Sequence, residues 1–528
     1  MALTVATNTG ALMAQAAASS VNKEMELSME RLSTGKRINS AADDAAGSAI
    51  ASRLDSQIRG LNQAIRNSMD TQNLLDTAEG AHAEVTNLLQ RMRELAVQSA
   101  NDTNSSADRS MLQSEVTQLL AEVDRIASQT HFGGIDLLDG SFSAKTFQVG
   151  ADAGNTINIG IDSVATSSIG VYEQSSKVLI NEGTDNGLAA GSDMVLSGIK
   201  GSVSIDVAAN DTAKTVANLM NAQTQNTGVS ASAETNIKLS SLSATGTVSF
   251  TVNSTSIGTV TLNDASDLRA LSDAINAKAG TTGVTSKVGA SNAELILTDS
   301  DGDDIKIGSY DHSTNGSSLT VTALDQDEAT VSTSQTALLK DTTFTTAATN
   351  EVNSVTVSGQ LNLTSHSAFT LVTTEDGAAD AATTAGSSQN TTADTLVPHG
   401  EFFHGSTEDS SGSAVATTTT ATLTSVSTAD IGTSAGAATA IKAIDSALSK
   451  IADARGTLGA QSNRLDSTVN NLTSITTNLA ASKSGIEDAD FAAETTNLAK
   501  AQILQQASTA MLAQANASKQ NVLSLLQG

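Results

Sequence analysis

The chain is 528 residues long, carries a formal net charge of −28, and has no Cys, no Trp and one Pro, where average usage of about 5 % would give roughly two dozen Pro. That length allows three or four domains at roughly 150 residues each, and the missing Cys excludes a disulfide scaffold and a cysteine-ligated metal site. Acidity is concentrated in the middle, where residues 165–430 hold 9 Lys and Arg against 29 Asp and Glu. Such a surface repels phosphate and, with no local basic cluster, argues against nucleic acid and anionic membranes as partners. No run approaches the roughly 18 apolar residues of a membrane span, so no membrane insertion is expected. The first residues lack the basic leader and apolar stretch of a cleavable secretory signal.

The first 130 residues predict helices. Leu54, Ile58, Leu61 and Ile65, then Val85, Leu88, Met92 and Leu95, then Leu112, Val116, Leu119, Val123 and Ile126 recur in alternating steps of three and four, which suits coiled-coil seams. Gly35 ends a first helix, and Ser40 and Ser105 are each followed three residues later by an acid, Asp43 and Asp108, in the manner of a capping box. Helices are expected near 3–34, 41–100 and 106–130. From about 140 to 430 the chain turns to Thr, Ser, Gly, Asn and Asp, with short alternations such as Thr247 to Val252 that read as strands. An internal repeat lies here at an offset of 55 residues: Ala213, Val216, Met220, Asn221, Ala222, Gly228 and Val229 recur as Leu268, Leu271, Ile275, Asn276, Ala277, Gly283 and Val284. At the far end Leu458, Leu465, Leu472 and Leu479 repeat every seven residues, with a companion row at Val469 and Ile486 interrupted by Ser462, Thr476 and Lys483. Ser484 to Glu487 has capping-box spacing and is expected to restart a helix that runs to the end.

Neither end carries an evident globular core, so each is the natural partner of the other, with the middle projecting as an insertion. Ala11 to Ser20 and Ala507 to Ala517 are too small-chained to make a stable lone helix pair in water, which favours a subunit that completes its core by self-assembly.

The end segments closely resemble bacterial flagellin. The residues that carry the likeness are Arg31-Leu32-Ser33-Thr34-Gly35-Lys36-Arg37-Ile38-Asn39-Ser40-Ala41-Ala42-Asp43-Asp44-Ala45-Ala46-Gly47 and the stretch Leu89 to Asn101, then Ile486-Glu487-Asp488-Ala489-Asp490-Phe491, Lys500 to Ala507 and the finish Asn521 to Leu526. The resemblance implies a multidomain chain with an α-helical coiled-coil core formed by both termini and β-rich (α+β) outer domains inserted centrally. It implies an inner-tube helix over 1–40, a core segment over 41–168 with a β-hairpin region near 132–165, and an outer α+β domain over 169–325 containing the repeat. A second β-rich domain and return linker would occupy 326–430, a core segment 431–484 and a C-terminal inner-tube helix 485–528. The implied function is structural, a filament subunit that self-polymerises outside the cell and transmits motor torque for swimming, exported without a cleaved signal peptide. Partners implied are the chain itself, the flagellar export apparatus and its chaperone, and the filament cap and hook-junction proteins. The rival reading is a hook-filament junction protein or another secreted Ser/Thr-rich adhesin. Junction proteins are expected to match the Gln90 to Asn101 stretch poorly.

Candidate sites follow from residues and resemblance together. Arg91 and Leu95 lie four apart on one helix face and Glu115 sits on the next helix, where an antiparallel return can bring it alongside. By resemblance these three positions match the patch read by the vertebrate Toll-like receptor for flagellin, which is covered by subunit contact inside a filament. Val522, Leu523, Leu525 and Leu526 form the last apolar stretch and are expected to serve polymerisation. No catalytic residue, cofactor or metal is expected. His399 and His404 are five apart, with Glu401 two after the first, which fails the spacing of a zinc-protease helix, so a surface loop is the better reading. In Asp299 to Asp304 an EF-hand loop would need Gly where Asp304 stands and Glu where Tyr310 stands, so a turn with solvated acids is expected.

Overall fold

The computed structural model describes residues 7–182, 186, 194–208, 210–314, 316–326, 328, 330–339, 354–373 and 417–527, with side chains at the C-terminal end followed to 518. Both chain ends are helical and the middle is built of sheets, as a flagellin-like architecture requires. Helix α1 spans Thr9–Thr34; the Asn8 side chain accepts from Ala11 N–H at its start, and Gly35 closes it in a left-handed conformation, φ 72°, donating its N–H to Arg31 O. Helix α2 (Ala45–Ala100) starts four residues later than the sequence suggests. Its cap is Asp44, whose carboxylate accepts from Gly47 N–H at 2.8 Å. Ser40 instead heads a turn in which the Asp43 carboxylate collects the N–H groups of Asn39 and Ser40. Those two bonds hold Asp43 below the usual carboxylate range, the Ser40 backbone contributing most. Helix α3 (Ser106–Gln129) opens on the expected reciprocal box between Ser105 and Asp108.

In the centre lie α4 (Ala213–Ala222), the single turn α5 (Thr224–Thr227), α6 (Arg269–Asn276) and the single turn α7 (Ala279–Thr282). Helix α8 (Ser434–Glu487) corrects the other capping expectation, because it runs straight through Ser484. The break falls at 488–490, and α9 (Phe491–Gln527) begins after Asp490, which accepts from the N–H groups of Ala492 and Ala493. Each long helix carries a seam. In α2 the buried row runs from Leu61 through Ala64, Ser68, Thr71 and Leu75 to Met92, Ala96 and Ser99 in steps of three and four. In α8 it runs through Ala437, Ile444, Ile451, Leu458, Leu465 and Leu472 at every seventh residue.

By compactness the chain forms two units. One holds Met1–Gly80, Phe142–Ile161 and Gly456–Gly528, the other Ala81–Ser141 and Asp162–Arg455. In the first, Leu61 and Ala64 of α2 pack with Leu472 of α8, flanked by Ile65 and Leu479, and a hairpin pairs Lys145–Gln148 with Thr156–Ile159. Lys483 forms an ion pair with Asp55, and Gln72 donates to Asp466 at 2.7 Å.

In the second unit, a six-stranded sheet runs in the order 255–256, 246–252, 305–312, 355–357 and 180–182, with 260–262 also on 246–252. An eight-stranded sheet runs in the order 285–288, 295–299, 230–240, 360–365, 170–175 and 422–425, with 318–324 and 330–339 attached beside 230–240. A four-stranded sheet runs 417–420, 370–373, 194–198 and 201–205. Strands from either side of residue 325 thus share sheets. Val248, Phe250, Leu295, Leu297, Ile307 and Val355 share one buried cluster with Leu271 and Ile275 of α6. Val216 and Met220 of α4 share a second with Leu196, Leu361 and Phe369.

The chain enters and leaves the sheets through adjacent strands. Gly170 faces Ser425, Val426 N–H donates to Ile169 O at 2.9 Å, and Ser427 N–H to Thr166 O at 3.1 Å. At this crossing the Asp124 carboxylate of α3 accepts from both the N–H and the hydroxyl of Thr166.

Candidate assembly surface

In the first unit, α1 and α9 lie antiparallel: Asn8 donates to Ala515 O at 3.2 Å, Gln505 donates to Asn22 Oδ1 at 2.9 Å, and Arg31 stands 3.8 Å from the Glu494 carboxylate. Small residues allow the approach, and a side chain at Gly10 would come 3.8 Å from Ala515 Cβ. The pair buries little. On α1 only Val21 and Ser28 are buried, while Leu12 is 57 % exposed, Met13 74 %, Ile503 66 %, Met511 65 % and Phe491 68 %. Large apolar side chains left open along both helices of a pair make this a candidate contact surface.

The connections into these helices are pinned to each other. Lys36 and Asp488 form an antiparallel bridge, Arg37 N–H donates to Glu487 O at 2.7 Å, and Ala489 N–H donates to Gly35 O at 3.0 Å. The Arg37 guanidinium donates to Ile486 O at 2.8 Å, and the Lys36 ammonium bonds the Glu487 carboxylate. That bond and the charge of Glu487 raise the Lys36 pKa above its ordinary value. Two motifs far apart in the sequence, Arg31 to Gly47 and Ile486 to Phe491, therefore meet. Periodicity could not show this, since the contact joins the turn at Gly35 to Arg37 with the last residues of α8 and the break after them. The four expected polymerisation residues Val522, Leu523, Leu525 and Leu526 lie on the backbone of α9, and their side chains fall outside the described residues.

The second unit holds the other expected patch. Arg91 donates from Nε and Nη2 to Glu115 at 3.0 and 2.9 Å and from Nη1 to Glu94 at 2.9 Å, so the antiparallel return of α3 brings Arg91 and Glu115 together. Leu95 is only 1 % exposed, buried in the seam beside Met92. The surface there is Arg91, Glu94 and Glu115, with Val97 half-exposed and Met111 exposed. Arg93 forms a two-point pair with Asp445 of α8.

The remaining expected site candidates resolve as follows. His399, Glu401 and His404 lie outside the described residues. The Asp299 to Asp304 segment is a turn through Gly302, φ 80°, with Asp301 and Asp303 paired to Lys214 at 3.1 and 2.8 Å. Asp299 and Asp304 are buried rather than solvated, and Asp304 accepts from Asn186 Nδ2 at 3.0 Å. Burial pushes the Asp304 carboxyl up to about 7. Among the described residues no group of three or more His, Cys, Asp or Glu is placed to hold a metal ion, and none of the described helices is long and apolar enough to cross a membrane.

The bacterial flagellin N-terminal helical region matches residues 5–143, the bacterial flagellin C-terminal helical region matches 441–526, and the flagellin hook IN motif matches 193–248. A B-type flagellin of Pseudomonas aeruginosa is 36 % identical over 532 residues, covering 100 % of both chains. The chain belongs to the bacterial flagellin family. A flagellin of Salmonella typhimurium is 33 % identical over 549 residues, again covering all of both chains. Among solved structures, FliC from Burkholderia pseudomallei is similar with 20 % identity and a TM-score of 0.28, covering 74 % of this chain and 99 % of that one. Flagellin is a structural protein family rather than an enzyme family, and its members polymerise into the flagellar filament, an extracellular structure. This chain is accordingly a filament subunit. The hook IN motif covers the first copy of the internal repeat, α4 with α5 and the strand after them; the second copy, α6 with α7 and the following strand, lies 55 residues on.

Proposed function

We propose that the apolar faces of α1 and α9 are the main subunit-to-subunit surface, and that the polymer built through them transmits motor torque for swimming. The exposure of Leu12, Met13, Ile503 and Met511 on two helices that already pair carries this reading. Their burial by neighbouring copies removes apolar area from water at about 25 cal/mol per Å². Val522, Leu523, Leu525 and Leu526 extend the same helix and serve the same polymerisation. Sheets between Gly170 and Ser425, fed through one pair of strands, form the outer face and are not needed for growth. Export through the flagellar apparatus with its chaperone, and contact with the filament cap and hook-junction proteins, complete the cycle. Inside the polymer the Arg91 and Glu115 patch is a subunit contact; on the free subunit it is open to an innate receptor of the Toll-like class, with buried Leu95 acting by holding Arg91 in place.

Electron microscopy of purified protein under polymerising conditions tests the reading. Long tubes are expected, and a protein that stays monomeric with or without seeds overturns it. An Arg91→Ala variant that activates the receptor as strongly as the unaltered subunit overturns the receptor reading alone.

A further inference from the structure

Methionine is scarce in this chain, ten residues in 528, yet four of the ten stand on the two helices of the assembly surface. Helix α1 carries Met13, Met25 and Met29 among its large apolar side chains, and α9 adds Met511. Met13 and Met511 are mostly exposed and Met29 nearly half, while Met25 is half-buried. Met13 and Met511 also share one stretch of the pair, since both lie between the ties that join Asn8 to Ala515 and Asn22 to Gln505. Elsewhere in the chain Met92, Met194 and Met220 are fully buried, and Met69 and Met111 are exposed.

An unbranched, polarisable thioether adapts well to an irregular apolar contact. Its sulfur also has a chemistry that Leu12 and Ile503, exposed on the same two helices, do not share. The sulfur lone pair attacks the O–O bond of hydrogen peroxide: an S–O bond forms, the O–O bond breaks, and water leaves. Sulfur is oxidised by two electrons and the peroxide reduced by two. The product is a polar, chiral sulfoxide. On the free subunit the new oxygen accepts hydrogen bonds from water, so folding loses little. Pressed against an apolar face of a neighbouring copy, the same oxygen loses that water, and a polar group buried without a partner is costly.

We propose that Met13 and Met511 form a peroxide-sensitive modification site of the free subunit, and that their conversion to sulfoxides blocks its addition to the polymer. The inference rests on the reading of α1 and α9 as the subunit-to-subunit surface. It gives oxidation a window: the two sulfurs are open before assembly and covered after it, so a finished polymer resists the reagent that disables its precursors.

The test uses the full-length chain and hydrogen peroxide alone. Free subunits are oxidised at a dose that leaves Met92, Met194 and Met220 intact by peptide mass spectrometry, because those buried sulfurs react only if the fold opens. Sedimentation then gives the critical concentration for polymerisation, which is expected to rise roughly tenfold or more. Met13→Leu combined with Met511→Leu removes both sulfurs and keeps apolar side chains. Compared with its own unoxidised form, the oxidised double variant should change by less than about threefold, although Met69 and Met111 remain oxidisable. In preformed filaments of the unaltered chain, Met13 and Met511 should oxidise roughly tenfold more slowly than in free subunits, a measurement that needs no substitution. Oxidised subunits that polymerise at an unchanged critical concentration, or a double variant as sensitive as the unaltered chain, overturn the proposal and leave assembly through α1 and α9 standing. Equal oxidation rates in filament and free subunit, or an unoxidised chain that stays monomeric, count against that surface itself, and the proposal falls with it.

Discussion

Replacing Ile503 by Ala separates the stability of the subunit from the stability of the polymer. The Ile503 side chain is 66 % exposed on α9, so within a single subunit its extra carbon atoms are already mostly in water. If neighbouring copies cover it, the substitution forfeits the burial of the exposed two thirds of about three methylene-sized groups, at about 0.8 kcal/mol each, or roughly 1–2 kcal/mol per subunit added. A loss of that size raises the critical concentration for polymerisation roughly five- to thirty-fold. Sedimentation of filaments at graded protein concentrations gives the critical concentration, and thermal melting of the monomer gives the control. The expected result is a clear rise in the first with a monomer melting temperature shifted by no more than about 2 °C. A critical concentration that does not move would refute the assignment of α9 to the subunit surface. So would a monomer destabilised as strongly as the polymer, which would mean that Ile503 serves the chain's own core.

Further outcomes are expected elsewhere in the chain. Joining Ser168 to Ile431 through a short Gly/Ser linker should leave polymerisation intact and give thinner filaments by electron microscopy, because the excised strands enter and leave side by side. Filaments that fail to form from a folded variant would show that the sheets supply subunit contacts. Asp44→Ala removes the carboxylate that accepts from Gly47 N–H and should cost about 1 kcal/mol in thermal or denaturant melting, whereas Ser40→Ala should cost less, since Ser40 caps nothing. Asp304, raised by burial to about 7 from an ordinary value of 3.8, favours the fold fully while protonated in both states. That contribution is lost as pH rises from about 4 to about 7 and stays lost above it. Asp304→Asn should therefore raise the melting temperature more at pH 8 than at pH 4, and an equal shift at both would place the buried carboxylate outside this balance.

Much of this was legible in residue order, and the exceptions have physical causes. Leu458, Leu465 and Leu472 are buried as their spacing implies, and the same row continues backward through Ile451, Ile444 and Ala437. The α2 seam shows only in part in the sequence because Ala64, Ser68, Thr71, Ala78 and Ser99 occupy it, and small or polar residues give no clear apolar period. Ser105 caps α3 as its spacing implies, but Ser40 and Ser484 share that spacing and cap no helix. Their local signals were overridden by an acid nearer the helix start, Asp44 and Asp490. Arg91 and Glu115 were rightly brought together by helix geometry, while the burial of Leu95 depends on neighbours that a single helix cannot reveal. The repeat was visible as a pattern of apolar residues and Asn. The order of the strands does not show in it. In that order 170–175 lies between 360–365 and 422–425, partners hundreds of residues away that leave no trace in local alternation.

The crossing at Ile169 and Val426, closed by Gly170 opposite Ser425, changes what length means for this chain. The entropy of closing a loop grows only with the logarithm of its size, and each doubling adds about 0.6 kcal/mol. Once the two strands are clasped, the enclosed sequence can grow, shrink or be exchanged at almost constant cost to the helices that hold the clasp. On the proposed reading, variation in the enclosed sheets and constancy in the terminal helices are thus separable traits, and a lineage can alter its outer face without renegotiating how its subunits fit.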